Sequence, residues 1–205
     1  MKKYLVRFLV LVVFFGLASV VAFVSQTIKV TVTYKVGEEI VYTQKVNKGS
    51  MLGSLYLYES PNHQSYASTW KDVDGVIYET TSVINNDVEL LGELKTSLIL
   101  FTTPENEYTY VNGTNHVHSD GKAVVLSTYY GKAVNIGDGA FYNNSKMKEL
   151  YLPLGLNKIY SNNFVDCANL TSIYFEGSVE QWNAIENEST IPESISLVFN
   201  TAFQI

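Results

Sequence analysis

Two stretches of the chain repeat one pattern of apolar residues, and this repeat decides the fold. Residues 136–152 read IGDGAFYNNSKMKELYL, and residues 159–175 read IYSNNFVDCANLTSIYF. Each key apolar position has an apolar counterpart 23 residues later, and the pairs are Ile136 and Ile159, Phe141 and Phe164, Met147 and Leu170, Leu150 and Ile173, and Leu152 and Phe175. A fixed period of this length predicts a solenoid, in which successive turns stack and bury a shared core.

Each copy ends in a short predicted strand, over residues 147–153 and 170–176. Side chains on a strand alternate between two faces. The residues expected to face the core are Leu150, Leu152, Ile173 and Phe175, and those expected on the outer face are Glu149, Tyr151, Ser172 and Tyr174. Tyr151 and Tyr174 should lie side by side in adjacent turns. Aromatic pairs on a rigid sheet are good contact anchors for a partner, although tyrosine also suits an exposed strand on propensity alone.

These stretches resemble the BspA-type leucine-rich repeats of bacterial surface proteins. That family has an Ile-Gly-x-x-Ala-Phe block before its strand, as in residues 136–141, and the second copy departs from it at Tyr160 and Asn163. Residues 172–185, SIYFEGSVEQWNAI, resemble the element that closes such arrays, with Trp182 and Ile185 over the last core layer. The resemblance covers about residues 120–200 and implies a bacterial, noncatalytic repeat protein.

The first 25 residues have the layout of an export segment. Three basic residues precede an uncharged apolar run over residues 8–24, as in a signal peptide. The run is at the short end of what can span a bilayer, so a cleaved signal peptide and a retained membrane anchor both stay open. Both place the residues after Ser25 outside the cell. The sequence therefore predicts an extracellular or membrane-anchored protein that contacts the membrane only through this segment.

Residues 27–95 predict a small β-rich domain. Residues 28–34 and 40–46 alternate around a glycine break, which predicts a β-hairpin. Residues 70–78, WKDVDGVIY, contain an Asp-Gly turn between two strands. Together with residues 83–90 they resemble the C-terminal half of the internalin-type B-repeat of bacterial surface proteins, although no tryptophan closes the last strand. The resemblance implies a β-grasp-like domain.

Residues 96–122 are rich in Thr, Asn, Glu and Gly and contain several turn signals. We interpret them as a connection with one or two irregular strands. The predicted fold is therefore mostly β. A small β-rich, β-grasp-like domain over residues 27–95 is followed by the connection and by a short leucine-rich-repeat solenoid with its C-terminal cap over residues 123–200.

Charge and cysteine content restrict the partners and the sources of stability. The 205 residues carry a formal net charge of −6, whereas binding to nucleic acid requires a basic surface. The sequence therefore predicts no nucleic-acid partner. The single cysteine, Cys167, allows no internal disulfide, so stability must come from packing. Cys167 is expected to be a buried side chain of the repeat, with an intermolecular disulfide as the alternative.

Few residues could carry chemistry. His116 and His118 share one face of a strand, but two ligands are too few for a closed zinc site. We predict a solvated loop pair, and His63 cannot be placed near it from the sequence. Asp72, Asp74 and Gly75 resemble part of a calcium loop but lack its closing glutamate, so a hairpin turn is expected. No catalytic or phosphate-binding motif occurs, which predicts a non-enzymatic chain without metal or cofactor.

Three functions are consistent with these patterns. A cell-surface or secreted interaction module would present the repeat face to a protein or glycan on a host or neighbouring cell, as in adhesion. A structural spacer or envelope component would have no specific ligand, and an enzyme hidden in the β-rich domain is the third hypothesis. We predict the interaction module. Loss of binding on replacing Tyr151 and Tyr174 would distinguish it from a spacer.

Protease added to intact cells should digest the chain, because a cleaved signal and a retained anchor both place residues after Ser25 outside. Mass spectrometry of the mature N-terminus then separates the two: a start near Phe23 indicates cleavage, and a retained Met1 or Lys2 indicates an anchor. A cytoplasmic protein in the same sample controls for lysis. Full protection of the chain would contradict both interpretations.

Overall fold

The computed structural model describes residues 27–204, and the predicted export segment lies outside the described residues. Within residues 27–204 no helix is long and apolar enough to span a membrane. Regular structure is almost entirely β, and the buried apolar side chains form two clusters. One cluster draws on residues 30–90 and the other on residues 98–195. The predicted fold, a β-rich domain followed by a solenoid, is confirmed.

The first part of the chain contains the short strands of the β-rich domain. They are β1 (Lys29–Val36), β2 (Glu39–Asn47), β3 (Ser50–Met51), β4 (Tyr58–Glu59), β5 (Ser65–Ala67), β6 (Trp70–Lys71), β7 (Ile77–Tyr78), β8 (Val83–Ile84), β9 (Val88–Gly92) and β10 (Lys95–Thr96). Five of them form a sheet with the order β2-β1-β9-β6-β7, and β10-β5-β4 and β3-β8 form two smaller sheets.

The five-stranded sheet has the mixed topology of a β-grasp. Strands β1 and β2 form the predicted antiparallel hairpin, with Gly37 at a φ of 59° in the turn between them. Strand β9 returns parallel to β1 and antiparallel to β6. The predicted turn between β6 and β7 is also confirmed, since the carboxylate of Asp72 accepts hydrogen bonds from the backbone N–H groups of Asp74 and Val76.

Two aromatic rings form the centre of the first core. Tyr34 and Trp70 are fully buried, and their rings meet edge to face with centroids 4.8 Å apart. The indole N–H of Trp70 donates to the carbonyl of Tyr56 at 2.7 Å, so its polar atom is satisfied inside the core. Burial raises the pKa of Tyr34 to about 12.

The second part of the chain forms the solenoid. Its elements are β11 (Leu98–Phe101), β12 (Thr109–Thr114), β13 (Lys122–Val124), β14 (Thr128–Tyr129), β15 (Lys132–Ile136), β16 (Glu149–Leu152), β17 (Lys158–Ile159), β18 (Ser172–Phe175), α1 (Val179–Asn183), β19 (Glu186–Asn187) and β20 (Ser196–Val198). Each turn adds one strand to each of two sheets. Strands β12, β15, β17 and β19 pair in parallel in the first sheet, and β13, β16, β18 and β20 do so in the second.

The 23-residue period sets the register of the two central turns. Ile136 pairs with Ile159 in the first sheet, and Leu150 pairs with Ile173 in the second. All ten apolar residues of the predicted pattern are buried in one cluster. The predicted strand phase is also confirmed, since burial alternates along β16 and β18 with the expected residues inward.

Residues 96–122 do more than connect the two parts. Strand β12 pairs with β15 and forms the outermost turn of the solenoid together with β13. Leu98, Val111 and Val117 are buried in the solenoid core. The prediction of an irregular connection missed this turn because its residues do not follow the 23-residue spacing.

The last turn is closed by the element that the sequence predicts. Helix α1 begins after Ser178, whose side chain caps the N–H of Gln181. The indole of Trp182 packs edge to face on Phe175, with centroids 5.4 Å apart, and Ile185 is buried beside it. A terminal turn would otherwise expose its apolar face to water, so this cover is needed for stability.

Replacing Trp182 with alanine should lower the stability of the solenoid by about 2 kcal/mol, because the ring is partly rather than fully buried. The other tryptophan, Trp70, lies in the first core, so its fluorescence in the variant reports the β-rich domain alone. We expect faster hydrogen exchange in β18 and β20 with an unchanged Trp70 transition. The control is Trp182→Phe, which keeps a ring against Phe175. Unchanged exchange in Trp182→Ala would show that the indole does not close the core.

Candidate recognition site

The outer face of the second solenoid sheet carries a pair of stacked tyrosines. Tyr151 on β16 and Tyr174 on β18 are partners in the parallel register. Their ring centroids are 4.6 Å apart and the ring planes differ by 10°. Both side chains are partly exposed. The core residues on either side of each tyrosine hold its strand in place, so the pair is a rigid surface feature.

Polar groups surround this pair. The hydroxyl of Tyr151 donates to Glu149 Oε2 at 2.8 Å, and Ser172 pairs with Glu149 on the neighbouring strand. On β13, the ammonium of Lys122 lies 3.9 Å from the same carboxylate. Burial, and then the hydrogen bond to Glu149, raise the pKa of Tyr151 well above its usual range. The phenol therefore stays a neutral hydrogen-bond donor at physiological pH.

The chain itself covers one side of the tyrosine pair. Phe203, which follows the last strand, meets Tyr151 edge to face with centroids 5.0 Å apart. A cleft of about 210 Å³ lies beside this contact, and its lining includes Gln64, Leu126, Tyr151, Pro153, Glu176 and Phe203. Nothing in the sequence pattern predicts this contact, because Phe203 lies beyond the repeats.

A larger cleft lies on another side of the solenoid. It has a volume of about 510 Å³ and a polar lining that includes Thr114, Asn115, Asn143, Asn144 and Lys146. Among the described residues, the buried hydroxyl of Thr114 has no hydrogen-bond partner. This cleft offers hydroxyl and amide groups, whereas the face beside Tyr151 offers aromatic rings.

All three histidines of the chain lie together where the two parts meet. The rings of His63 and His118 stack with centroids 4.4 Å apart, and His116 is 5.5 Å from His118. His118 is buried. The prediction of a solvated loop pair at His116 and His118 is therefore wrong, because the loop packs against the β-rich domain and brings in His63.

Each outer histidine of this cluster pairs with a carboxylate. His63 Nε2 lies 2.8 Å from Asp120 Oδ2, and His116 Nε2 lies 2.6 Å from Glu59 Oε1. Burial disfavours the charge on Glu59, but hydrogen bonds from Ser119 and His116 outweigh it and hold its pKa below the usual range. The Nε2 atoms of His63 and His116 therefore contact two different carboxylates. Within residues 27–204 no three His, Cys, Asp or Glu side chains are placed to hold one metal ion.

Cys167 lies inside the repeat. Its side chain is buried, and its thiol donates to the carbonyl of Phe141 in the preceding turn at 3.0 Å. Burial raises the pKa of the thiol, so the reactive thiolate is disfavoured. The prediction of a buried side chain is confirmed.

The solenoid is similar to a known family of repeats. A family model described as "BspA type Leucine rich repeat region (6 copies)" matches residues 126–191. The matched residues, about a third of the chain, are similar to BspA-type leucine-rich repeats. Similarity to this repeat family points to a protein-interaction module.

A solved structure is also similar to this chain. It is the leucine-rich repeat protein of T. pallidum, which is 16% identical and has a TM-score of 0.31. The match covers 50% of this chain and 62% of that protein, so the chain spans about three fifths of its length. Comparison with curated proteins gives no match.

The histidine cluster should make stability depend on pH. Burial, and then the neighbouring His63, lower the pKa of His118 below its ordinary value of 6.5. His116 also opposes its charge, whereas Glu59 and Asp120 favour it. Below about pH 6.5 the imidazole of His118 binds a proton more readily in the unfolded chain than in the folded one. The free energy of unfolding therefore falls as the pH falls. One proton corresponds to a slope of at most about 1.4 kcal/mol per pH unit.

The measurement is urea unfolding of wild type and His118→Gln between pH 7.5 and pH 5. The amide of glutamine can reach the position of Nε2 and keep a hydrogen bond to Ser97, but it does not titrate. We expect a shallower loss of stability in the variant over this range. The carboxylates of Glu59 and Asp120 have lowered pKa values, so their contribution is lost only at lower pH. Equal slopes in the two proteins would contradict the assignment to His118.

Proposed function

We propose that the chain is a noncatalytic interaction module, on the cell surface or secreted, whose repeats bind a protein partner through the outer face of the second sheet. The stacked pair of Tyr151 and Tyr174 carries the proposal. The family supports protein binding in general, and the tyrosine pair supplies a specific place for it.

Preorganisation supports this assignment. Strands β16 and β18 are inner strands, because β13 and β20 pair on their outer sides. Their register fixes the distance between the two rings before any partner arrives. Binding then costs little side-chain entropy, and tyrosine and similar aromatic anchors contribute a large share of interface energy.

Charges at the edge of the pair support a specific orientation. Glu149 and Lys122 lie on one side of Tyr151, and Ser172 extends the polar row beside Tyr174. Charged groups at the rim of an interface set orientation and association rate more than affinity. We assign Tyr151 and Tyr174 as anchors and Glu149 and Ser172 as the polar rim.

A structural spacer is the alternative function. The stacked tyrosines would then serve only the packing of neighbouring turns. Their removal would lower stability slightly and change no binding. A glycan remains the alternative ligand, and the amide-rich cleft near Thr114 is the better place for it, because amides and hydroxyls hydrogen-bond to sugar hydroxyls.

The test compares the chain with the double variant Tyr151→Ser and Tyr174→Ser. Proteins retained by the immobilised chain from a neighbouring-cell or host surface fraction are quantified by mass spectrometry. We expect the variant to lose at least about tenfold in retention of a specific partner, the loss typical of a hot-spot pair. Its unfolding free energy should change by about 1 kcal/mol, because the rings are only partly buried.

A matched control removes two tyrosines elsewhere. Tyr130 and Tyr142 are exposed and lie outside the outer row of the second sheet, so Tyr130→Ser with Tyr142→Ser should retain the partner fully. Absence of any specifically retained protein would favour the spacer, and equal retention of a partner by the chain and both double variants would place the binding surface away from Tyr151 and Tyr174. Loss in the control alone would move the binding surface away from Tyr151.

A further inference from the structure

The segment after β20 turns back across the outer face of the second sheet. Asn200 adopts a φ of 56°, which reverses the chain direction, and its N–H donates to the carbonyl of Gly177 at 2.9 Å. The next N–H, from Thr201, donates to Phe175 at the end of β18 at 3.1 Å. These contacts direct residues 202–203 over the strands instead of away from them.

Phe203 then enters a position formed by three side chains. Its ring meets Tyr151 at 79° and 5.0 Å and His63 at 66° and 4.6 Å. Lys122 places its ammonium 5.9 Å from the ring centroid. Edge-to-face contacts and a nearby cation are favourable arrangements for a benzene ring. The side chains around Phe203 therefore form a position that favours an aromatic ring.

The ring of Phe203 is the most buried part of residues 202–204. Residues 201–204 belong to no strand or helix, and Ala202 and Gln204 are exposed while Phe203 is partly buried. The cleft of about 210 Å³ continues beside Phe203 along apolar side chains of Leu126 and Pro153, with Glu176 at its edge. This is room for further side chains of an extended peptide.

We propose that this position is a socket for an aromatic side chain on an extended segment of the partner protein, and that Phe203 fills it in the free chain. The proposal rests on the proposed function and deepens it by naming the class of ligand. An extended peptide with one aromatic ring is the chemistry that the chain itself places there. Phe203 and the partner's ring need the same contacts with Tyr151 and His63, so they exclude each other.

Competition of this kind lowers the apparent affinity of the partner. Only molecules in which Phe203 has left the socket can bind, so the apparent Kd rises in inverse proportion to their fraction. Removing the ring should thus increase affinity, whereas removing Tyr151 should decrease it. A merely structural role for Phe203 would not produce these opposite signs.

The experiment uses the chain's own segment as a probe. An acetylated and amidated peptide with the sequence of residues 200–204, Asn-Thr-Ala-Phe-Gln, is titrated to millimolar concentration into Phe203→Ser. Binding is followed by the ring-proton NMR signals of Tyr151 and Tyr174, which respond to the ring current of an added phenyl group. We expect saturable shifts in Phe203→Ser and at least about fivefold weaker binding to wild type.

Two controls make the result specific. The peptide with serine in place of phenylalanine should cause no saturable shift. Phe101→Ser removes an exposed phenylalanine that is not on this sheet and should bind the peptide as weakly as wild type does. Tryptophan fluorescence and circular dichroism show whether Phe203→Ser keeps the fold. Phe203→Leu, which keeps an apolar group without the ring, provides a second variant if it does not.

The outcomes separate this proposal from the proposed function. Absence of saturable shifts in a folded Phe203 variant overturns the socket. Equal affinity for wild type and Phe203→Ser overturns its occupation by Phe203. Either result leaves the function intact if Tyr151→Ser with Tyr174→Ser still loses a captured partner.

Discussion

The parallel, in-register stacking of the turns is the constraint on which the rest of the structure depends. One turn cannot bury its own apolar residues, so Leu150 needs Ile173 above it and Ala123 below it. The same register places Tyr151 directly beside Tyr174 on the opposite face. The geometry of the outer face is therefore a consequence of core packing, and a shift of register would destroy both together.

The sequence predicted the central turns because their apolar residues keep a constant spacing, and it predicted the closing element because residues 172–185 resemble the one that ends such arrays. It did not predict the first turn, since Val111 pairs with Ile136 and Ala123 with Leu150 across intervals that differ from 23 residues. Extra structure accounts for part of this, because the small hairpin of β14 and β15 lies within both of these intervals. Periodicity reveals a repeat only where the loops have equal length.

The candidate site could be predicted only in its local part. Apolar and other residues alternate along β16 and β18, and this alternation is enough to predict which side chains share the outer face. They are Glu149, Tyr151, Ser172 and Tyr174. The covering ring of Phe203 and the meeting of His63 with Asp120 depend on how two separately formed cores and an irregular segment pack. A polar or aromatic residue outside the repeats carries no local signal of such a distant contact, so sequence spacing could not show it.

The position of β1 has a mechanical consequence. This strand lies inside the first sheet, parallel to β9, so the start of β1 and the end of β9 lie at opposite ends of the pair. Tension between residue 29 and the solenoid pulls the two strands along their length in opposite directions. The hydrogen bonds from Val32 to Lys35 then bear the load together and do not open one after another. A chain held on its N-terminal side can thus transmit force to its repeats while its first core stays closed.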